Sequence, residues 1–106
     1  MFKRIAIVEA NRLQQEAEAQ VVDIRDPQSY ALGHIEGSIR VDNQSLPTFL
    51  DSADKNKPLV VVCYHGNSSQ QAAEFFNQQG FHDVYSMDGG FEAWKLQYPY
   101  AESDSN

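Results

Sequence analysis

The most constraining feature of this sequence is an unbroken run of apolar, mostly β-branched residues, Leu59–Val62, which ends directly at a cysteine. A strand of a parallel sheet covered by helices on both faces is apolar at every position, whereas a strand with one solvated face alternates. The run therefore predicts a central buried strand. It also places Cys63, the one cysteine of the chain, at the carboxyl end of that strand.

Short apolar segments alternate with helix-forming segments along the rest of the chain. Such alternation is typical of an α/β domain whose mainly parallel sheet carries helices on both faces. Asp26 before Pro27 favours a helix start with the aspartate as N-cap, and Ser68 and Gln71 have the spacing of a capping box. We predict strands over residues 2–8, 21–24, 38–41, 59–62 and 84–87, and helices over residues 9–19, 28–32, 46–53, 70–79 and 91–97.

Length and charge limit the classes of function. The 106 residues are enough for one domain and too few for two, so we predict a single domain over residues 1–98 and a polar, frayed tail over residues 99–106. A net charge of -7 argues against binding to nucleic acid or to an anionic membrane, because both need a basic patch. No apolar run approaches the ~20 residues that span a bilayer, and nothing resembles a signal peptide. We therefore expect a cytoplasmic protein with a reduced thiol.

The segment after Cys63 is suited to holding an anion, and ligands of parallel sheets bind beyond the carboxyl ends of strands. Gly66 and Asn67 both tolerate a left-handed backbone, and a loop that bends this way can turn successive N–H groups inward. The helix that follows adds its free N–H groups and the positive end of its dipole. Such surroundings favour a thiolate, so they predict a nucleophilic cysteine with a pKa below the usual value of about 8.5.

Simpler interpretations compete with this one. A lone cysteine is more often a small buried apolar residue than a nucleophile, although the strand-end position and the polar loop favour the functional role for Cys63. His65 is a candidate base for the cysteine, but two side chains this close on a tight loop tend to diverge, so we favour substrate contact or solvent exposure. Ser68 and Ser69 are most simply helix-capping residues. Asp23, Asp26 and Glu36 have no metal-ligand spacing with any histidine, and we predict neither metal nor cofactor. His34 and His82 are far from Cys63 in sequence, so we favour a structural or surface role for them.

Three segments of the chain carry a resemblance to a known family. They are Val22-Asp23-Ile24-Arg25-Asp26 with Tyr30 and Gly33-His34-Ile35-Glu36-Gly37-Ser38, then Val62-Cys63-Tyr64-His65-Gly66-Asn67-Ser68-Ser69, and finally Asp88-Gly89-Gly90-Phe91-Glu92-Ala93-Trp94. In this order and spacing they resemble the rhodanese homology domain and, within it, the single-domain GlpE-type thiosulfate sulfurtransferases. The resemblance extends over residues 2–98.

The resemblance implies a rhodanese-like three-layer domain in which a five-stranded parallel sheet is flanked by helices. It implies that Cys63 is catalytic, takes sulfane sulfur from thiosulfate as a persulfide, and passes it to cyanide or to a dithiol such as thioredoxin. The loop residues would bind the substrate: Tyr64, His65, Gly66, Asn67, Ser68 and Ser69. The two end signatures would be structural, with Arg25 as a buried pairing residue, Gly33, Gly37, Gly89 and Gly90 as turn formers, and Asp23, His34 and Trp94 in supporting roles.

Two other functions use the same fold. Rhodanese-fold phosphatases and arsenate reductases have a loop one residue longer that ends in arginine six positions after the cysteine, where this chain has Ser69. No arginine follows Arg40, although phosphoryl and arsenyl oxygens call for a planar bidentate donor. A non-catalytic binding module is the second alternative, and such modules often lack the cysteine. Sulfur transfer is therefore the favoured prediction.

Overall fold

The computed structural model describes residues 1–103, and within them five strands and five helices alternate along the chain. The elements are β1 (Lys3–Ile5), α1 (Ile7–Glu16), β2 (Gln20–Asp23), α2 (Pro27–Leu32), β3 (Ile39–Arg40), α3 (Leu46–Ser52), β4 (Leu59–Val62), α4 (Ser68–Gln78), β5 (Val84–Met87) and α5 (Gly90–Gln97). The strands form one sheet in the order β1-β5-β4-β2-β3, and every neighbouring pair is parallel. The predicted fold class is confirmed.

Helices cover both faces of the sheet, which explains why β4 has no polar position. All four residues of β4 are completely buried between β5 and β2. Successive strand residues point to opposite faces, so Val60 and Val62 pack beneath α1 and α5, whereas Leu59 and Val61 pack beneath α3 and α4. The helices contribute Ile7, Ala10, Phe91 and Trp94 to the first face and Phe49, Ala73 and Phe76 to the second.

The amino-terminal boundaries differ from the prediction. The strand predicted over residues 2–8 ends at Ile5, and the helix predicted from residue 9 begins at Ile7. Ile7 and Ala10 lie about one helical turn apart and both enter the core, so the helical period already applies within the apolar run for which the sequence predicts a strand. The helix ends at Glu16, and Glu18 turns the chain toward β2 with a left-handed φ of 54°.

Part of the segment predicted to fray is held against the domain. Ala101 pairs with His34 in an antiparallel bridge through hydrogen bonds of 2.9 and 2.8 Å. The ring of Tyr100 packs edge-on against Phe91 at 5.5 Å between centroids. Ordered packing therefore continues past residue 98, while residues 104–106 of the predicted tail lie outside the described residues.

No helix in the described part of the chain is long and apolar enough to cross a membrane.

Candidate active site

Cys63 lies where the sequence predicted, directly after β4 at the carboxyl edge of the sheet. Its side chain is buried, with 3% of its surface exposed, and it forms no disulfide. The residues from Cys63 to Ser69, which we call the active-site loop, bend around the sulfur before α4 continues away from it. The nucleophile candidate is therefore held in a fixed place by the most buried strand of the domain.

Three polar groups of the active-site loop surround the sulfur of Cys63. The N–H of Gly66 donates to Sγ at 3.1 Å, and the N–H of Ser69 donates at 3.3 Å. The hydroxyl oxygen of Ser69 lies 3.2 Å from Sγ, within hydrogen-bond distance for a thiol or a thiolate. The two amides can only donate, so both favour the anionic form of sulfur.

These contacts decide the ionisation of the cysteine. Burial is the largest single influence on the pKa of Cys63, and it opposes the charged thiolate. The hydrogen bonds act in the other direction: first the side chain and main chain of Ser69, then the main chain of Gly66 and of His65. Together the hydrogen bonds outweigh burial, and the pKa of the Cys63 thiol lies below its ordinary value.

Gly66 makes the tight bend of the loop. It has a left-handed φ of +92°, and a Cβ there would stand 2.9 Å from the nitrogen of Gly89 and 3.1 Å from the oxygen of Met87. The predicted left-handed bend is therefore found at Gly66. Asn67, for which a left-handed backbone is also predicted to be tolerated, is instead right-handed, with φ -93° and ψ -60°, at the N-cap position of α4.

The glycine pair at the start of α5, Gly89 at the N-cap and Gly90 as the first helical residue, holds the active-site loop in place, a role that sequence reasoning missed. The N–H of Phe91 donates to the carbonyl of Cys63 at 2.9 Å, and the N–H of Glu92 donates to the carbonyl of Tyr64 at 3.1 Å. A Cβ on Gly90 would lie 2.3 Å from the oxygen of Tyr64. Gly89 and Gly90 have the predicted left-handed turn, with φ of +79° and +61°, but the turn also brings the first amides of α5 onto the loop.

Ser69 is not a capping residue, and the predicted capping box is absent. α4 begins at Ser68 with Asn67 as N-cap, and no side chain caps it. Ser69 is fully buried, and its hydroxyl lies between the sulfur of Cys63 and the hydroxyl of Ser86, whose oxygen is 2.7 Å away. Sequence reasoning also missed Ser86. The available signal was a serine inside a short apolar strand, where a buried hydroxyl needs a partner.

The remaining loop residues face outward. The side chains of Tyr64, His65, Asn67 and Ser68 are exposed. The Tyr64 hydroxyl donates to the carboxylate of Asp26, and this hydrogen bond is the main cause that holds the pKa of Asp26 well below its ordinary value. The same carboxylate caps α2, as predicted. Within residues 1–103, the N–H groups of Asn67 and Ser68 have no protein acceptor, so they remain available to a ligand.

Arg25, for which a buried or semi-buried pairing role is predicted, forms an ion pair with Asp23 beside the active-site loop. The guanidinium binds the Asp23 carboxylate with Nε and Nη2, at 2.7 Å for the shorter contact, and Nη2 also donates to the carbonyl of Gly33 at 2.7 Å. It lies over the ring of Phe91 at 4.3 Å. Gly33 is not a turn former, because its φ of 177° is extended. It is needed for space, since a Cβ would lie 3.0 Å from the ring of Tyr100 and 3.2 Å from that of Phe91.

The other predicted structural residues lie away from the loop. His34 stacks on Tyr30 with 3.8 Å between ring centroids, and Gly37 has the predicted left-handed turn, with φ +85°. Trp94 is buried and donates from Nε1 to the carbonyl of Pro99 at 3.2 Å. His82 is exposed. Across residues 1–103, no three His, Cys, Asp or Glu side chains come together as metal ligands.

Comparison with known proteins gives a family, sequence relatives with a named activity and solved structures with the same fold. The sequence model of the family described as "Rhodanese-like domain" matches residues 7–97. A Pseudomonas paraeruginosa protein named thiosulfate sulfurtransferase GlpE is 64% identical over 98 residues, covering 92% of this chain and 88% of that protein. A Pseudomonas fluorescens protein of the same name is 56% identical over 105 residues, covering 99% and 95%. The crystal structure of a rhodanese-related protein from Thermoplasma volcanium matches with a TM-score of 0.79 at 29% identity, covering 94% and 98%.

Proposed function

This chain belongs to the rhodanese-like domain family, and we propose that it is a thiosulfate sulfurtransferase in which Cys63 carries the transferred sulfur as a persulfide. The single observation that carries the proposal is the set of three loop groups on the Cys63 sulfur: the N–H of Gly66, the N–H of Ser69 and the Ser69 hydroxyl. They lower the pKa of the thiol, so the thiolate, which is the nucleophile, is present at lower pH than in an ordinary cysteine.

The reaction has two steps, which is typical of covalent catalysis. The Cys63 thiolate attacks the outer sulfur of thiosulfate, the sulfur–sulfur bond of the donor breaks, and sulfite leaves with that bond's electron pair. A persulfide anion remains on Cys63. An acceptor such as cyanide then attacks the terminal sulfur, thiocyanate leaves, and the Cys63 thiolate is restored. Each step begins and ends with an anionic sulfur on Cys63, so the same N–H and O–H groups of the loop stabilise the charge in both steps.

The active-site loop has groups for the charge that moves in these steps. The N–H groups of Asn67 and Ser68, which have no acceptor in residues 1–103, lie on the same loop and can bind the terminal sulfur or the sulfite oxygens. We propose that the exposed residues Tyr64 and His65 contact the donor or the acceptor. The loop thus supplies its positive potential locally, in a chain whose net charge is -7.

The partners and location are part of the proposal. We propose cyanide or a dithiol such as thioredoxin as acceptor, in the cytoplasm, where a thiol stays reduced. Neither nucleic acid nor an anionic membrane suits the net charge of -7. The two rival functions have less support. No arginine follows Arg40, and Arg25 is occupied by Asp23, so phosphoryl oxygens lack a bidentate donor. The hydrogen bonds from Gly66 and Ser69 to the Cys63 sulfur favour an enzyme over a binding module, because they favour a thiolate nucleophile.

The test is the intact mass of the reduced protein after incubation with thiosulfate. We expect the mass of one added sulfur atom, its removal by cyanide with release of thiocyanate, and no added sulfur on a Cys63→Ser variant. A protein that gains no sulfur from thiosulfate, polysulfide or mercaptopyruvate would contradict the proposal in favour of a binding module. Hydrolysis of an aryl phosphate that is lost in Cys63→Ser would contradict it in favour of a phosphatase.

A further inference from the structure

We propose that Ser86 is a positioning residue that directs the hydroxyl proton of Ser69 toward the sulfur of Cys63 and so favours the anionic form of that sulfur. This inference rests on the proposed function, because it concerns the same nucleophile, but it can be tested without sulfur transfer. Ser86 does not touch the sulfur. It acts through Ser69, whose hydroxyl oxygen is 3.2 Å from Sγ and 2.7 Å from the Ser86 oxygen.

The fold places the two hydroxyls together and away from water. Ser86 belongs to β5 and points to the same face of the sheet as Val84, which is the face covered by α4. Ser69 lies in the first turn of α4, on the side that meets this face. Both serines are completely buried. Because water does not reach them, the direction of each hydroxyl is set by the protein groups around it.

The direction of the hydrogen bonds depends on whether the sulfur carries a proton. When Cys63 is a thiol, its S–H can donate to Ser69, and Ser69 then donates to Ser86. The Ser86 hydroxyl is left without an acceptor within residues 1–103. When Cys63 is a thiolate, the order reverses: Ser86 donates to Ser69, and Ser69 donates to the sulfur. Every hydroxyl proton is then used, so the pair fits the thiolate better than the thiol.

Most charged side chains near Cys63 are paired with opposite charges, so the hydrogen bonds on the sulfur have a large part in whether it is a thiol or a thiolate. The carboxylates on the neighbouring strand, turn and helix are each paired with a cation: Asp23 with Arg25, Asp88 with Arg4, and Glu92 with Lys95. His65 on the loop itself is exposed. In α4 the first charged residue is Glu74, beyond the first turn. The Asp26 carboxylate, which contacts the loop through Tyr64, is held by hydrogen bonds from the Tyr64 hydroxyl and the Ser29 N–H.

The test is the pH dependence of alkylation of Cys63 by iodoacetamide in the whole protein and in a Ser86→Ala variant. We expect Ser86→Ala to raise the midpoint of thiolate formation by about 0.2–0.5 pH unit. The hydrogen bond between the two serines exists in both states, but only in the thiolate does Ser86 donate to Ser69 and so strengthen the hydrogen bond from Ser69 to the charged sulfur. Below the midpoint this shift lowers the alkylation rate about 1.6- to threefold. Ser86→Thr, which keeps the hydroxyl, should return the midpoint toward that of the native chain. The matched control is Ser38→Ala, which removes a buried hydroxyl whose near contact is Tyr30, and should leave the midpoint unchanged.

A double variant separates a positioning role from a structural one. In Ser69→Ala the midpoint should rise, and adding Ser86→Ala should shift it no further, because Ser86 acts only through Ser69. A Ser86→Ala variant that is folded and has the midpoint of the native chain would overturn the inference, as would independent, additive shifts. Since alkylation needs no sulfur donor, these results stand whether or not the protein accepts sulfur from thiosulfate, and the two proposals fail separately.

Discussion

Replacing Gly90 with alanine should displace the active-site loop, because no space exists for a side chain at this position. Gly90 has a left-handed φ of +61°, and a Cβ would lie 2.3 Å from the oxygen of Tyr64, 2.4 Å from its carbonyl carbon and 2.5 Å from the oxygen of Cys63. These neighbours are main-chain atoms, so a side chain cannot rotate away to relieve the overlap. Either the loop or the start of α5 has to move.

The expected loss of stability follows from three contributions. The left-handed backbone costs alanine about 1–2 kcal/mol. Overpacking against fixed atoms costs about 1–3 kcal/mol. Separation of the loop from α5 breaks the hydrogen bonds from Phe91 to Cys63 and from Glu92 to Tyr64, each worth about 1 kcal/mol. The variant should therefore lose about 4–7 kcal/mol out of the about 5–15 kcal/mol typical of a domain.

Urea unfolding measures the loss of stability, and the rate of sulfur loading from thiosulfate measures the effect of the displaced active-site loop. The matched control is Gly80→Ala, which has the same kind of left-handed backbone, φ +102°, but as nearest neighbour only Lys55 Cδ at 3.6 Å. The control should lose only the strain contribution and load sulfur normally. Gly90→Ala should lose clearly more stability than the control. It should also load sulfur at least about tenfold more slowly, because an N–H group that donates a hydrogen bond to the Cys63 sulfur is misplaced. Equal stability loss in both variants, with normal loading, would refute the steric reasoning.

Two further predictions concern ion pairs and hydrogen bonds around the loop. Arg25→Ala should lower the free energy of unfolding by about 3–5 kcal/mol in urea, since it leaves the buried carboxylate of Asp23 without its partner; a loss near zero would mean that the pair is dispensable. Tyr64→Phe should raise the pKa of Asp26 toward its ordinary value, measured from the pH dependence of its carboxyl resonance by NMR. Because the lowered pKa stabilises the fold above the unfolded value and this contribution is lost as pH falls, the native chain should lose more stability in acid than Tyr64→Phe. An unchanged Asp26 titration would contradict the assigned hydrogen bond.

Patterns that are local in sequence predicted much of this fold. Leu59–Val62 could only be buried on both faces, so the central strand and the position of Cys63 at its end followed from four residues. Asp26 before Pro27 marked a helix start, and the aspartate accepts from the N–H of Ser29 as an N-cap should. In these cases the residues that interact are neighbours, so their spacing contains the information.

The contacts that complete the site join residues distant in sequence, and no local pattern could reveal them. Ser69 and Ser86 are 17 positions apart, and which hydroxyl faces which depends on how α4 packs over β5. Gly90 contacts the loop only because the sheet brings the ends of β4 and β5 together. Local rules also competed: Ser69 suits a cap by sequence, but its buried position in the first turn of α4 directs it to the sulfur instead.

The most direct test of the site is the pKa of Cys63 itself, measured from the rate of alkylation against pH in the folded protein and in the same chain unfolded in urea. We predict a midpoint in the folded protein below that of the unfolded chain, which should lie near the usual value of about 8.5. The thiolate then stabilises the fold above the unfolded pKa, and this contribution is lost as pH falls through the folded pKa. A folded midpoint equal to or above the unfolded one would show that the loop does not keep the sulfur anionic.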